Sequence, residues 1–75
     1  MELKGLLYSQ AYVLKRLRFE SGLILKDLSK KTLINYTRLH RLESGRATLA
    51  INEIITLQKF YRQDLLKIIA NHRVE

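Results

Sequence analysis

The 75-residue chain contains no cysteine, no proline, no tryptophan and only three glycines. Without cysteine it has no disulfide, no thiolate zinc site and no cysteine nucleophile. Its two histidines, His40 and His72, are too few and too far apart in the sequence for a structural metal site. The sequence lacks the run of about 18 apolar residues that a membrane span needs, and it opens with no signal peptide. We therefore expect a cytoplasmic protein.

The usual combinations of catalytic residues are also missing. The sequence shows no paired carboxylates, no serine, histidine and aspartate set, and no glycine-rich phosphate loop. We therefore expect that the protein is not an enzyme, needs neither metal nor cofactor, and takes no small-molecule ligand.

Charge is the first positive indication of function. Fourteen Lys and Arg against seven Asp and Glu leave a net charge of +7. A strongly basic small domain suits a polyanion, and nucleic acid is the commonest polyanion inside cells. Simple solubility is an equally good explanation for the charge taken alone.

Scarce glycine and absent proline predict an all-α chain, and its length predicts one domain over residues 1–75. Ser9 is a candidate N-cap for a first helix, which Gly22 would end. Asn35 is a candidate N-cap for the third. The later helices are expected at about residues 26–31, 36–44, 51–61 and 63–71, which gives a compact five-helix cluster. Residues 1–8 remain ambiguous.

A particular order of residues runs through the segment 14–45, which reads LKRLRFESGLILKDLSKKTLINYTRLHRLESG. Arg18 precedes Gly22, a small Ser29 follows Leu28, and a Glu-x-Gly sequence ends the segment at Gly45. This order and spacing resemble the helix-turn-helix domain of the phage-repressor and Cro-like family, also called the XRE family. The resemblance covers about residues 12–66, with the motif itself at about 25–44. It implies the lambda-repressor-like DNA-binding fold, with a buried ion pair between Arg18 and Glu43.

The resemblance also implies a function, which is sequence-specific binding of double-stranded DNA by a transcription regulator. The recognition helix, at about residues 36–44, would lie in the major groove. Side chains of base-reading types face outward there: Asn35, Tyr36, Thr37, His40 and Arg41. Phosphate contacts are expected from flanking residues: Lys26, Arg46 and Thr48, with Lys30 and Arg38 as secondary candidates. Residues 26–46 hold six basic and two acidic residues, a net +4 of the chain's +7.

Three departures from the family pattern occur within or beside the motif. Leu25 stands where the family usually has glutamine, and Ile24 stands where a capping Ser or Thr is common. Leu33 replaces the glycine of the turn, which implies strain or a differently shaped turn. Thr48, Leu49 and Ala50 replace the usual proline and serine before the fourth helix.

Members of the family usually bind inverted-repeat operators as dimers. In the last segment, Leu66 and Ile69 (or Leu65) are expected to project outward and form an isologous contact. The alternative is that all these side chains pack internally.

Two other functions compete with DNA reading. The first is a protein-interaction module of the same fold, an antitoxin or antagonist, which the apolar residues Ile24, Leu25 and Leu33 favour. The second is RNA binding, which is disfavoured because few exposed aromatic residues are expected as stacking platforms. Repressor and activator, and the subtypes of phage repressor, restriction-modification controller and antitoxin, remain open.

Overall fold

The computed structural model describes residues 3–72, with side chains for residues 5–72. The described chain folds into five helices and contains no strand: α1 (Leu3–Glu20), α2 (Leu25–Thr32), α3 (Tyr36–Glu43), α4 (Ile51–Tyr61) and α5 (Leu65–Asn71). Its Cα radius of gyration is 11.4 Å, close to the value of about 11 Å expected for a compact domain of this length. The predicted all-α cluster of five helices is thus confirmed. Within residues 3–72, no helix combines the length and apolar character needed to cross a membrane.

Helix α1 begins at Leu3, so the prediction that Ser9 caps it was wrong. Ser9 lies inside the helix and is buried. The segment before it is rich in leucine, and its single glycine, Gly5, does not stop the helix. Helix α5 begins two residues later than predicted, because Asp64 accepts a hydrogen bond from the Lys67 N–H (3.2 Å) and caps it.

The core takes side chains from every helix, and nine apolar residues are buried: Val13, Leu14, Leu17, Leu28, Leu39, Leu42, Leu57, Leu65 and Ile69. Ile34 packs against this cluster from the turn between α2 and α3. The cluster includes the leucines at helical spacing that family resemblance and periodicity both indicate. Long helix α1 contributes three of the nine and packs against α3 and α5.

The buried side chain of Gln10 holds the loop between α3 and α4 against α1. Its Nε2 donates to the carbonyls of Leu42 (3.2 Å) and Ala47 (2.8 Å). Its Oε1 accepts from the Leu49 N–H at 3.0 Å. Gln10 thus satisfies one backbone group of α3 and two of the loop that leads to α4.

Ile69 does not project outward, which corrects the dimer contact predicted for it. Leu65 and Ile69 lie one helical turn apart on α5 and are both buried, whereas 55% of Leu66 is exposed. One turn of spacing places the two buried residues on the same face, against α1 and α4. Leu66 is therefore the one predicted dimer contact on α5 that is accessible.

Leu33 ends α2 in the left-handed conformation, with φ 62° and ψ 17°. Its N–H donates to the Ser29 carbonyl (2.8 Å). Leu33 thus forms the left-handed helix C-cap that is usually made by glycine. The strain implied by the missing glycine is present, since a left-handed L-residue costs about 1–2 kcal/mol. The side chain is 90% exposed and gains little burial in return.

We expect Leu33→Gly to stabilise the protein by about 0.5–1 kcal/mol. Relief of the left-handed strain exceeds the extra entropy that glycine gives the unfolded chain, about 0.4–1 kcal/mol. Chemical denaturation at neutral pH measures the change. Leu33→Ala is the control, because alanine retains the Cβ and should leave the strain in place. A less stable Leu33→Gly variant would contradict the account.

Candidate nucleic-acid interface

Helices α2 and α3 are joined by the three residues 33–35. The Ser29 hydroxyl on α2 donates to the Ile34 carbonyl at 2.6 Å. The hydroxyl is therefore satisfied within the turn, and the residue remains small enough for the two helices to approach. Leu28 on α2 and Leu39 on α3 are both buried behind this turn.

Helix α3 has one buried and one exposed face. Leu39, Leu42 and Glu43 are buried. All the candidate base-reading side chains are exposed to solvent: Asn35, Tyr36, Thr37, His40 and Arg41. Arg41 makes a single long contact within the protein, from Nη2 to the Arg46 carbonyl at 3.5 Å. Its guanidinium is therefore available for an external acceptor.

Asn35 has a structural task that conflicts with the base contact predicted for it. Its Oδ1 accepts from the N–H groups of Thr37 (2.9 Å) and Arg38 (3.3 Å), which makes it the N-cap of α3. Bidentate recognition of adenine needs the amide oxygen as an acceptor. Both acceptor positions of Oδ1 are in use. We therefore assign Asn35 to capping, and the remaining four side chains form the α3 face: Tyr36, Thr37, His40 and Arg41.

Lys26, Arg46 and Thr48 are exposed on the elements that flank α3. Lys26 lies in the first turn of α2, and the other two lie in the loop that leads to α4. Ile24 caps α2 without a side-chain hydrogen bond, so the first N–H groups of α2 have no side-chain acceptor at that position. Lys26 beside the first N–H groups of α2 suits an anion such as phosphate, although Asp27 in the same turn partly offsets its charge.

Arg38 makes hydrogen bonds within the protein, so its guanidinium is only partly available for the phosphate contact predicted for it. Its Nε donates to Glu53 Oε2 at 2.7 Å and its Nη2 donates to Glu53 Oε1 at 2.9 Å. The same Nη2 also donates to the Thr48 carbonyl at 2.8 Å. Arg38 thus ties α3 to the start of α4, and we assign it to positioning α3.

Glu53 was not anticipated from the sequence. Besides binding Arg38, its Oε1 accepts from the Ala50 N–H (2.8 Å) at the start of α4. Glu53 lies three residues after the N-cap, where a glutamate is typical of one half of a capping box. This spacing is the sequence signal that indicates its role. The hydrogen bonds from Arg38 lower the pKa of Glu53, and burial opposes this with a smaller effect. The same hydrogen bonds raise the pKa of Arg38.

We expect Glu53→Gln to lose about 1–2 kcal/mol of stability at pH 7, because hydrogen bonds to charged groups are involved. The lowered Glu53 pKa makes this contribution present above the ordinary glutamate pKa of about 4.3 and lost as pH falls through the folded-state value. Denaturation of both proteins at pH 7 and pH 3 should show the difference shrinking in acid. Glu20→Gln, at an exposed site, is the control. An unchanged gap at pH 3 would contradict the assignment.

The predicted ion pair between Arg18 and Glu43 is present and buried. Arg18 Nε donates to both carboxylate oxygens of Glu43 (3.0 and 2.9 Å), Nη2 donates to Oε1 (2.9 Å), and Nη1 donates to the Leu23 carbonyl (2.9 Å). The pair joins α1 to α3 and to the loop before α2. Tyr61 lies near it, and burial, with a smaller effect of Glu43, raises the pKa of Tyr61 to about 12.

An apolar and basic groove lies beside the α3 face. Ile24, Leu25 and Tyr36 line it together with Lys26 and Lys30, and its volume is about 730 Å³. The departures at residues 24 and 25 thus place apolar surface where the family pattern has polar side chains. Leu33, in the adjoining turn, is exposed as well.

No family model, curated protein or solved structure was found to match the chain. The described residues contain no group of three or more His, Asp and Glu side chains placed to hold a metal ion.

Proposed function

We propose that this chain is a sequence-specific double-stranded DNA-binding transcription regulator that places α3 in the major groove. The observation that carries the proposal is the α3 face, four exposed side chains able to donate hydrogen bonds to base edges. They stand on a helix that buried and half-buried ion pairs hold in place. Net charge of +7 adds long-range attraction to DNA.

Each residue has a defined part in this proposal. Arg41 grips a guanine through O6 and N7, while Tyr36 and Thr37 contact bases at the N-terminal end of α3. His40 lies between them and reaches a base or a phosphate. Three flanking side chains bind the phosphate backbone and set the position of the protein without reading sequence: Lys26, Arg46 and Thr48.

The protein is proposed to act as a dimer on an inverted repeat, since one such domain reads few base pairs. Leu66 is exposed on α5 and remains the candidate contact. A contact through this single apolar side chain gives a weak dimer. DNA with two half-sites would favour the dimer by holding two copies close together.

Selection from a randomised duplex library near physiological salt tests the proposal. An inverted repeat among the selected sequences supports a dimeric reader, and a single half-site supports a monomeric one. Lys26→Ala and Arg46→Ala should then weaken binding to all sequences alike and reduce the salt slope by about one each. Selection without any enriched sequence would reject sequence-specific reading.

A protein-interaction module with weakened DNA reading is the second candidate. It is favoured by the groove along Ile24, Leu25 and Tyr36, and by Leu33, which is 90% exposed. Exposed apolar groups of this kind mark protein contacts when they are contiguous. Loss of library enrichment combined with specific capture of a protein at this groove would favour it.

A further inference from the structure

Helix α1 carries three exposed aromatic residues on the side that faces away from the core. Tyr8, Tyr12 and Phe19 are 60%, 48% and 63% exposed, whereas Val13 and Leu14 of the same helix are buried. Spacings of four and seven residues place the three rings in one row along the helix. Half of the six aromatic residues in the chain thus lie in this row, the α1 stripe. Packing of the described helices therefore leaves these three rings largely uncovered.

The α1 stripe forms one wall of an open groove of about 1030 Å³. Ser44 and Gly45, which follow the C-terminal end of α3, contribute to the opposite wall. Lys15 and Arg16 lie in the middle of the stripe, and Glu20 lies at its end. Arg16 Nε lies 4.0 Å from Glu20 Oε2 in an exposed pair, and Glu43 in the lining is already paired with Arg18. Lys15 is therefore the cation in the lining without an acidic partner in the part of the chain that the structure describes, and the groove lies at the end of α3 remote from Tyr36 and Thr37.

Stacked nucleobases are a poor match for this groove. They need free ring faces, and Tyr12 is already stacked on His72 with ring centroids 4.6 Å apart. The guanidinium carbon of Arg16 lies 6.0 Å from the Tyr12 centroid, and that of Arg18 lies 4.8 Å from the Phe19 centroid. These exposed rings do overturn the expectation that few aromatics are accessible. Tyr12 and Phe19 each have a face occupied in this way, which leaves Tyr8 as the one ring of the α1 stripe without a stacking partner in the described residues. One free ring is too few to stack successive bases.

A second copy of the chain is also a poor match. A two-fold axis through the middle of the α1 stripe would bring Lys15 and Arg16 of one chain against the same residues of the other. Each chain already carries +7. Like charges at close range oppose such a contact.

We propose that the groove along the α1 stripe docks an acidic amphipathic segment of another protein. Apolar side chains of that segment pack on Tyr8 and Phe19, and its carboxylates pair with Lys15 and with Arg16, whose exposed pair with Glu20 is long at 4.0 Å. Tyrosine and arginine are the residue types that anchor protein interfaces. Three half-exposed rings offer about 100 Å² each, so the interface is at the small end and the affinity is weak. The inference does not depend on DNA binding.

Selection from a displayed library of random 16-residue peptides on the intact chain tests this inference. The expected winners are acidic, with apolar residues at three- or four-residue spacing. Synthetic copies of them should bind the double variant Tyr8→Ser and Phe19→Ser at least tenfold more weakly, and Lys15→Glu likewise. Ile51→Ser, which alters an equally exposed apolar residue on α4, should bind as the wild type does. Circular dichroism confirms that each variant is folded.

Other outcomes overturn the proposal. These are winners without net negative charge, binding that the stripe variants leave unchanged, and the absence of any winner. Self-association in sedimentation that Phe19→Ser abolishes would also overturn the proposal, because a second copy of the chain would then be the occupant of the groove. Single-stranded oligonucleotides that bind the wild type but not the stripe variants would make nucleic acid the occupant.

Discussion

Replacing Glu43 with alanine is expected to lower the free energy of unfolding by about 3–5 kcal/mol, the cost of stranding one member of a buried ion pair. The loss is large because Arg18 would keep its charge while losing three of its four hydrogen bonds inside the protein. A domain of this size has a total stability of about 4–11 kcal/mol. The variant should therefore be unfolded or close to unfolding at 37 °C.

Thermal and urea denaturation of Glu43→Ala measure this effect. Glu20→Ala is the matched control, since it removes an exposed glutamate of α1 and should stay within about 0.5 kcal/mol of the wild type. The double variant Arg18→Met with Glu43→Leu removes both charges and should be more stable than Glu43→Ala alone. A melting temperature that Glu43→Ala leaves unchanged would remove the ion pair from the account of stability.

The helices and most of the core could be predicted because their signals are local. Asn35 as the N-cap of α3, and the leucines spaced along α1 and α3, act through neighbours within a turn or two. The Arg18 and Glu43 pair, 25 residues apart, came from the family resemblance and not from local pattern. Recurrent motifs thus supply long-range pairs that periodicity alone does not.

Other features depend on how the helices pack against one another, which local sequence patterns do not reveal. Arg38 resembles a phosphate ligand until α4 brings Glu53 to within 2.7 Å of it. Ile69 resembles a surface contact until α5 settles against α1 and α4. In each case the neighbour that decides the environment of the side chain lies on another helix.

Helix α1 shows the same limit from the other side. Four-residue spacing places Val13 on the side of the buried Leu17 and Tyr12 on the other side, but it does not show which neighbours will cover the rest of α1. Once α3 and α5 cover one side of α1, the rings of Tyr8 and Phe19 remain outside. Surfaces with a possible binding role thus emerge only after the packing partners are known.

Replacing Arg41 with alanine is expected to weaken binding to the preferred DNA site by about 1–3 kcal/mol and to relax selectivity at one base pair. The expectation rests on the proposed function and on the geometry of Arg41, whose guanidinium makes a single long internal contact at 3.5 Å. Because that contact is weak, the substitution should change stability by no more than about 0.5 kcal/mol. Affinity for unrelated DNA should fall much less.

Titrations of the selected site, of the same site changed at each base pair in turn, and of unrelated DNA distinguish a base contact from a phosphate contact. Arg16→Ala is the matched control, since it removes the same charge from an exposed position on α1, away from the α3 face. It should lower affinity for every DNA slightly and equally, through net charge alone. If Arg41→Ala did the same, Arg41 would be a phosphate ligand, and sequence reading would have to come from Tyr36, Thr37 and His40. A loss confined to one base pair would instead place the Arg41 guanidinium in the major groove, which requires α3 to enter with its exposed face toward the bases.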